Sequence, residues 1–170
     1  MLPAVSIIGR HNSGKTALIA RLIPALVARG FRVGTAKHAP HLESLDKPGS
    51  DSAAHFRAGA HRVLLLGAHT SALFWKHDPA DLPAAIDQTL GDCDLVLIEG
   101  GKAEAYPKIE VFRRAADLTE DPLAGEIDVA AVVTDDRIPL PDGVERIATR
   151  DLERIADLIE TIAFDAVQAD

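Results

Sequence analysis

Short apolar runs alternate along the chain with longer stretches in which apolar residues recur every three or four positions. The first run, Ala4-Val5-Ser6-Ile7-Ile8, is nearly continuous, which predicts a strand covered on both faces. Beyond it, Leu18, Ile19, Leu22, Ile23, Leu26 and Val27 form a helical stripe that Gly30 closes. Pro24 falls inside this helix and predicts one lost backbone bond and a bend. Residues 32–36 predict a second strand. Residues 37–51 are polar and carry Pro and Gly, as a loop does, and a short helix over 52–58 ends at Gly59. Residues 62–66 and 71–75 predict two strands of a hairpin around Gly67-Ala68-His69-Thr70. Asp81 caps a helix with Pro83 in its first turn and Leu82, Ile86 and Leu90 on one face. Residues 95–98, 108–112 and 129–133 predict further strands, with a charged, loop-rich stretch over 113–128. A last helix over 151–167 buries Leu152, Ile155, Ile159 and Ile162. Strand and helix patterns alternate throughout. They predict a three-layer α/β fold with a mainly parallel sheet and a β-hairpin extension, in a single domain over residues 1–170.

The composition narrows what such a fold can do. Hydrophobic residues make up 47% of the 170 positions, enough for a core. The formal net charge of −8 argues against nucleic acid or an anionic membrane surface as partner, so a phosphate site must be built locally. Cys93 stands alone, which excludes an internal disulfide and a multi-cysteine zinc site. No apolar run approaches a membrane span, and no basic, apolar leader opens the chain; the expectation is a cytoplasmic protein.

The chemistry begins where the first strand ends. Gly9-Arg10-His11-Asn12-Ser13-Gly14-Lys15-Thr16 is the phosphate-loop pattern in its strand–loop–helix setting, and it specifies a phosphate-loop nucleotide-binding fold. The backbone of Gly9, His11, Asn12, Ser13 and Gly14 curls its N–H groups around an anion at a helix N-terminus. Lys15 reaches the terminal phosphates, and the Thr16 hydroxyl takes Mg²⁺. The run Asp94-Leu95-Val96-Leu97-Ile98-Glu99 offers two acidic partners for the metal. Glu99 is favoured because it lies at the carboxyl end of its strand, where ligands of open α/β sheets bind. In the 37–52 loop, Lys37 offsets phosphate charge, while Asp46 or Asp51 adds a metal ligand or positions a water. His38 and His41, with His55 and His61, are weak grounds for a transition-metal site. Asp135, after the 129–133 strand, is placed to accept from both donors on the guanine edge, a pair that adenine lacks; an aspartate that merely starts a turn fits the pattern as well. Lys102, Lys108, Arg113 and Arg114 cluster where a second anionic ligand would sit.

Taken in order, these segments resemble one family. The phosphate loop, Leu22-Ile23-Pro24-Ala25-Leu26, Lys37-His38 with His41, Asp46-Lys47-Pro48-Gly49-Ser50-Asp51-Ser52, and Ala58-Gly59-Ala60 carry the first half of the match. Leu95-Val96-Leu97-Ile98-Glu99-Gly100-Gly101-Lys102, Pro107-Lys108-Ile109-Glu110-Val111 and Thr134-Asp135 carry the second. The family is that of the molybdopterin-guanine dinucleotide biosynthesis adaptor protein B, and the resemblance spans most of the chain. It implies a GTP- and Mg²⁺-binding homodimer with at most slow hydrolysis. It implies that the protein works beside the guanylyltransferase that joins GMP to molybdopterin, and molybdopterin itself is a further candidate ligand. By the same resemblance, residues 9–16 hold GTP, Glu99 is the acidic strand-end residue, and Asp135 contacts the base. Two positions depart from the family pattern: Ser50 stands where a lysine is usual, and Gly101 where a phenylalanine is usual. They bear on phosphate affinity and on contacts with a pterin or partner. Two other readings share the phosphate loop. One is a small-molecule kinase, with Asp46 or Asp51 as base and Arg113 and Arg114 as a lid. The other is a metal-insertion GTPase built on the histidines.

Overall fold

The computed structural model describes residues 2–39, 41, 46–76, 81–114 and 121–168, so parts of the expected 37–51 and 113–128 loops lie outside the described residues. In chain order the elements are β1 (Ala4–Ile8), α1 (Lys15–Ala28), β2 (Val33–Lys37), α2 (Asp51–Arg57), β3 (Arg62–Leu66), β4 (Ser71–Trp75), α3 (Leu82–Leu90), β5 (Leu95–Glu99), β6 (Lys108–Val111), β7 (Ala131–Val133), β8 (Glu145–Ile147) and α4 (Leu152–Gln168). The chain separates into two compact units, Met1–His38 with Ile86–Asp170, and Ala39–Ala85.

In the first unit, the described strands form one six-stranded sheet in the order β2-β5-β1-β6-β7-β8. Every neighbouring pair is parallel. The carboxyl ends of all six strands therefore share one edge of the sheet. The α/β fold with a mainly parallel sheet expected from the sequence is the fold observed, with the hairpin as an added element.

Strand alternation explains the continuous apolar runs. Val5 and Ile7 of β1, with Leu95 and Leu97 of β5, join a core with α1 and α4; Ile8 and Val132 point the other way, to Phe112, Leu123 and Ile138. On α1, Leu18, Ile19, Leu22 and Leu26 are buried, but Val27 is 52% exposed. Helical phase carries Val27 off the stripe by the last turn, so the expected stripe is one residue too wide. The helix continues through Pro24, which lies on its exposed side.

Boundaries differ from expectation by a residue or two. β2 begins at Val33, since the Arg32 backbone N–H and guanidinium are engaged by Asp94. That pair, at the amino end of the sheet, holds the Asp94 carboxyl at about 2. β7 begins at Ala131 rather than at residue 129. β8 was not expected: it is a three-residue edge strand in which Ile147 alone is buried, too short to show a periodicity.

α1 is capped at its carboxyl end by Arg29, whose guanidinium reaches Glu153, Asp157 and Glu160 at 2.5, 2.7 and 2.5 Å. Their spacing of four and then three places all three carboxylates on one face of α4. They raise the Arg29 pKa further above its already high value.

The second unit holds α2 and the β3–β4 hairpin. Ser50 caps α2 by accepting the Ala53 N–H at 3.1 Å. The hairpin is antiparallel, Leu64 opposite Leu73, and closes with the Gly67 N–H donating to the Thr70 carbonyl at 2.8 Å. No described helix is long and apolar enough to cross a membrane.

Arg29→Ala should remove the tie between α1 and α4. A loss of about 1 kcal/mol is expected for partly exposed pairs acting as a network. An unchanged thermal midpoint would show that the network contributes nothing measurable.

Candidate functional site

Sterics set the phosphate loop before any charge does. Gly9 has φ 151°, and a Cβ there would overlap the Val111 carbonyl oxygen and lie 2.6 Å from Ser13 Oγ. Only glycine lets the chain leave β1 at this angle. Asn12 (φ 58°) and Gly14 (φ 101°) take left-handed conformations that reverse the path. α1 then starts at Lys15, and no side chain caps it, so its first-turn N–H groups face the interior of the loop. His11 and Asn12 are exposed, and Ser13 is buried.

The polar side chains meet just outside this loop. Lys15 Nζ donates to the carbonyls of Gly9 at 3.1 Å and Arg10 at 2.6 Å. Burial pushes the Lys15 ammonium below its ordinary pKa; Glu99 opposes that shift, and Lys102 and Lys37 add to it. Thr16 Oγ1 lies 3.0 Å from each oxygen of Glu99. Lys37 Nζ lies 3.1 Å from Glu99 Oε1. The parallel register makes this meeting possible, because Glu99 sits beside both Ile7 of β1 and Lys37 of β2. Thus Lys15, Thr16, Lys37 and Glu99 form one cluster, whereas Asp94 lies at the opposite end of β5.

The donor set fits Mg²⁺: the Thr16 hydroxyl and the Glu99 carboxylate converge, and both are hard oxygen ligands that would hold such a cation beside a phosphate. Among the described residues no three or more His, Cys, Asp or Glu side chains gather as a metal cage. Asp46 lies in the second unit, where it accepts from Ser52 at 2.7 Å, Ser50 at 3.0 Å and the Lys47 N–H at 2.7 Å. These bonds, Ser52 foremost, lower its pKa, which makes it a weak base. Asp51, also in the second unit, is exposed in the first turn of α2.

Beside the first turns of α1 lies a cavity of about 340 Å³, lined in part by Ser13, Ala17, Arg21, Phe112, Arg113 and Asp135. Asp135 follows β7, and both its oxygens are held by Thr149: Oδ1 accepts the Thr149 N–H at 3.0 Å, and Oδ2 accepts the hydroxyl. These bonds lower the Asp135 pKa, the hydroxyl most. Each oxygen keeps a further lone pair for a ligand donor. Thr149 follows the unexpected β8, and sequence reading missed it because nothing in its neighbourhood forms a motif.

One of the four expected cations is engaged differently. Lys108 Nζ donates to the carbonyls of Glu104 at 2.6 Å and Tyr106 at 2.9 Å, so it braces the 104–106 turn rather than facing a ligand. Lys102, Arg113 and Arg114 are exposed. Gly101 is buried with φ 72°, and a Cβ there would lie 3.1 Å from Ser6 Oγ. The chain therefore folds tightly over the place where an aromatic side chain would need space.

A family model described as molybdopterin guanine dinucleotide synthesis protein B matches residues 4–135. A molybdopterin-guanine dinucleotide biosynthesis adapter protein of Escherichia coli (strain K12) is 35% identical over 94% of this chain and 92% of its own length. The protein of the same description from Haemophilus influenzae is 36% identical over 94% of this chain and 88% of its own. The crystal structure of a molybdopterin-guanine biosynthesis protein B superposes with a TM-score of 0.70 at 28% identity, covering 94% of this chain and 98% of that one.

Thr149→Val should remove the hydroxyl that holds Asp135 and raise the Asp135 pKa toward the ordinary carboxylate value. The stability that the bond supplies is present above the unfolded pKa and is lost as pH falls through the folded one. Titration of the Asp135 carboxyl by NMR in both proteins checks this; identical titration curves would mean that the hydroxyl bond does not act on the carboxylate.

Proposed function

This chain belongs to the molybdopterin guanine dinucleotide synthesis protein B family, and from that premise we propose that it is a GTP-binding adapter that assists conversion of molybdopterin to its guanine dinucleotide. One observation carries the reading. A phosphate loop with a metal-competent hydroxyl–carboxylate pair opens directly beside a cavity that holds a pre-oriented carboxylate. We take a purine nucleotide with its phosphates on residues 9–16 to place its base in that cavity. In this reading, Lys15 and Lys37 meet the terminal phosphates, Thr16 and Glu99 hold Mg²⁺, and Asp135 selects guanine through its donor pair. The metal supplies charge neutralisation across the phosphates. Hydrolysis is slow at most in this reading, because with Glu99 on the metal the cluster of Lys15, Thr16, Lys37 and Glu99 has no other carboxylate left to orient a water.

The partner that fits the family role is the molybdopterin guanylyltransferase. Molybdopterin is a second ligand of this reading, with the exposed Lys102, Arg113 and Arg114 as its anion contacts. A homodimer is supported by the hairpin, where Leu64, Leu65 and Leu66 are 59%, 51% and 73% exposed. Adjacent leucines on one strand point to opposite faces, so both faces of the hairpin offer apolar surface for pairing.

Calorimetric titration with GTP and with ATP, each with Mg²⁺, tests the nucleotide. GTP should be preferred, Asp135→Ala should abolish the preference, and Lys15→Ala should abolish binding with the fold intact. Equal affinity for the two nucleotides would remove Asp135 as the base reader. For the dimer, the double variant Leu64→Glu with Leu66→Glu should sediment as a monomer where the parent sediments as a dimer; a monomeric parent would dismiss the hairpin contact.

A further inference from the structure

Glu110 sits in the middle of β6 with 0% exposure, and the phosphate and base chemistry above makes no use of it. Its two oxygens each accept one backbone N–H, from Leu123 at 2.8 Å and from Ala124 at 2.9 Å. These N–H groups open the 3-10 turn Leu123–Gly125, where Pro122 supplies no side-chain cap. The carboxylate thus caps that turn from the sheet, and the two bonds offset the cost of burying its charge. One residue before Pro122, the Asp121 carbonyl accepts from the Arg10 guanidinium, at 3.3 Å from Nε and 3.2 Å from Nη2. Arg10 is the second residue of the phosphate loop. Its own carbonyl accepts Lys15 Nζ at 2.6 Å and the Ser13 N–H at 3.3 Å. The tie begins and ends close together, since the β1–β6 register sets Glu110 beside Ile8.

We propose that Glu110 and Arg10 are positioning residues for the phosphate loop. The buried carboxylate fixes the 122–125 turn, the turn fixes the Arg10 guanidinium, and Arg10 fixes the peptide that receives Lys15. The inference rests on residues 9–16 being the phosphate site. An anion cradle of backbone N–H groups works only when its peptides already point inward, and a loop held in that state loses less freedom on binding. The same carboxylate that caps the turn sets the distance at which Asp121 meets Arg10.

The test is calorimetric titration of the whole protein with GTP and Mg²⁺. The variants are Arg10→Ala, Arg10→Lys, Glu110→Gln and the Arg10→Ala/Glu110→Gln pair, with Lys15→Ala as reference. Arg10→Ala should weaken binding about ten-fold, with the protein still folded and its melting temperature only slightly lowered by the lost bond. Arg10→Lys should recover most of that loss, because an ammonium still donates to the Asp121 carbonyl. In Glu110→Gln the amide meets one of the two N–H groups with a donor, so binding should weaken again. The double variant should bind no worse than the weaker single, because both act through one tie. Additive losses would overturn the proposal, since Arg10 would then act on the nucleotide through its charge alone. Parent affinity in Arg10→Ala, with binding abolished in Lys15→Ala, would overturn the tie and leave the phosphate site standing. Parent affinity in Lys15→Ala would remove the phosphate site and the tie with it. If Glu110→Gln fails to fold, the Arg10 variants decide the matter: equal affinity of Arg10→Ala and Arg10→Lys would overturn the proposal.

Discussion

The carbonyl oxygen of Val111 occupies the space that any side chain at residue 9 would need. That contact ties the exit of β1 to the end of β6, two neighbours in a parallel sheet. It forces a glycine, and the glycine forces the path of the loop that follows. From there Asn12 and Gly14 turn the chain so that α1 begins with uncapped N–H groups facing the loop. The position of α1 then sets where Lys15, Thr16 and the cavity beside Ala17 lie. Because Leu22 and Leu26 are fully buried against the sheet, the helix cannot drift from this position without exposing apolar surface.

Around that frame the charges are arranged by neighbourhood rather than by net balance. The chain carries a net charge of −8, yet Lys37 and Lys102 both lie close enough to act on Lys15, against the opposing charge of Glu99. The parallel register delivers this arrangement, because the last residues of β1, β2 and β5 finish side by side. Glu99 is the hub: it accepts from Thr16 and pairs with Lys37. Asp94, by contrast, is spent on Arg32 at the far end of the sheet, so of the two acidic residues that flank β5 only Glu99 stands by the phosphate loop.

The departures from the family pattern also gain a physical meaning. Ser50 accepts the Ala53 N–H and so starts a helix, a task for which a lysine side chain has no acceptor. Gly101 packs over Ser6 with a positive φ, so the local backbone is built for the residue that is present.

Local pattern determined much of the fold. The apolar runs at Ala4–Ile8 and Leu95–Glu99, and the stripes of α1 and α4, reflect periodicity and burial that any chain must satisfy. Arg62–Leu66 and Ser71–Trp75 were legible as strands from their apolar residues and the turn between them, although most of their side chains are not buried. The phosphate loop was equally legible, since glycine at residues 9 and 14 encodes a backbone conformation directly. Three things were decided by tertiary structure alone. β8 exists because β7 offers it an edge, and three residues are too few to announce a strand. The motifs placed Thr16 and Glu99 at one metal, but the direct contacts of Glu99 with Thr16 and Lys37 depend on the strand order that sets β5 between β1 and β2. The hold of Thr149 on Asp135, and of Glu110 on Leu123 and Ala124, joins separate segments through a pair of hydrogen bonds each. Periodicity reports which face of an element is buried; only the packed sheet reports what that face meets.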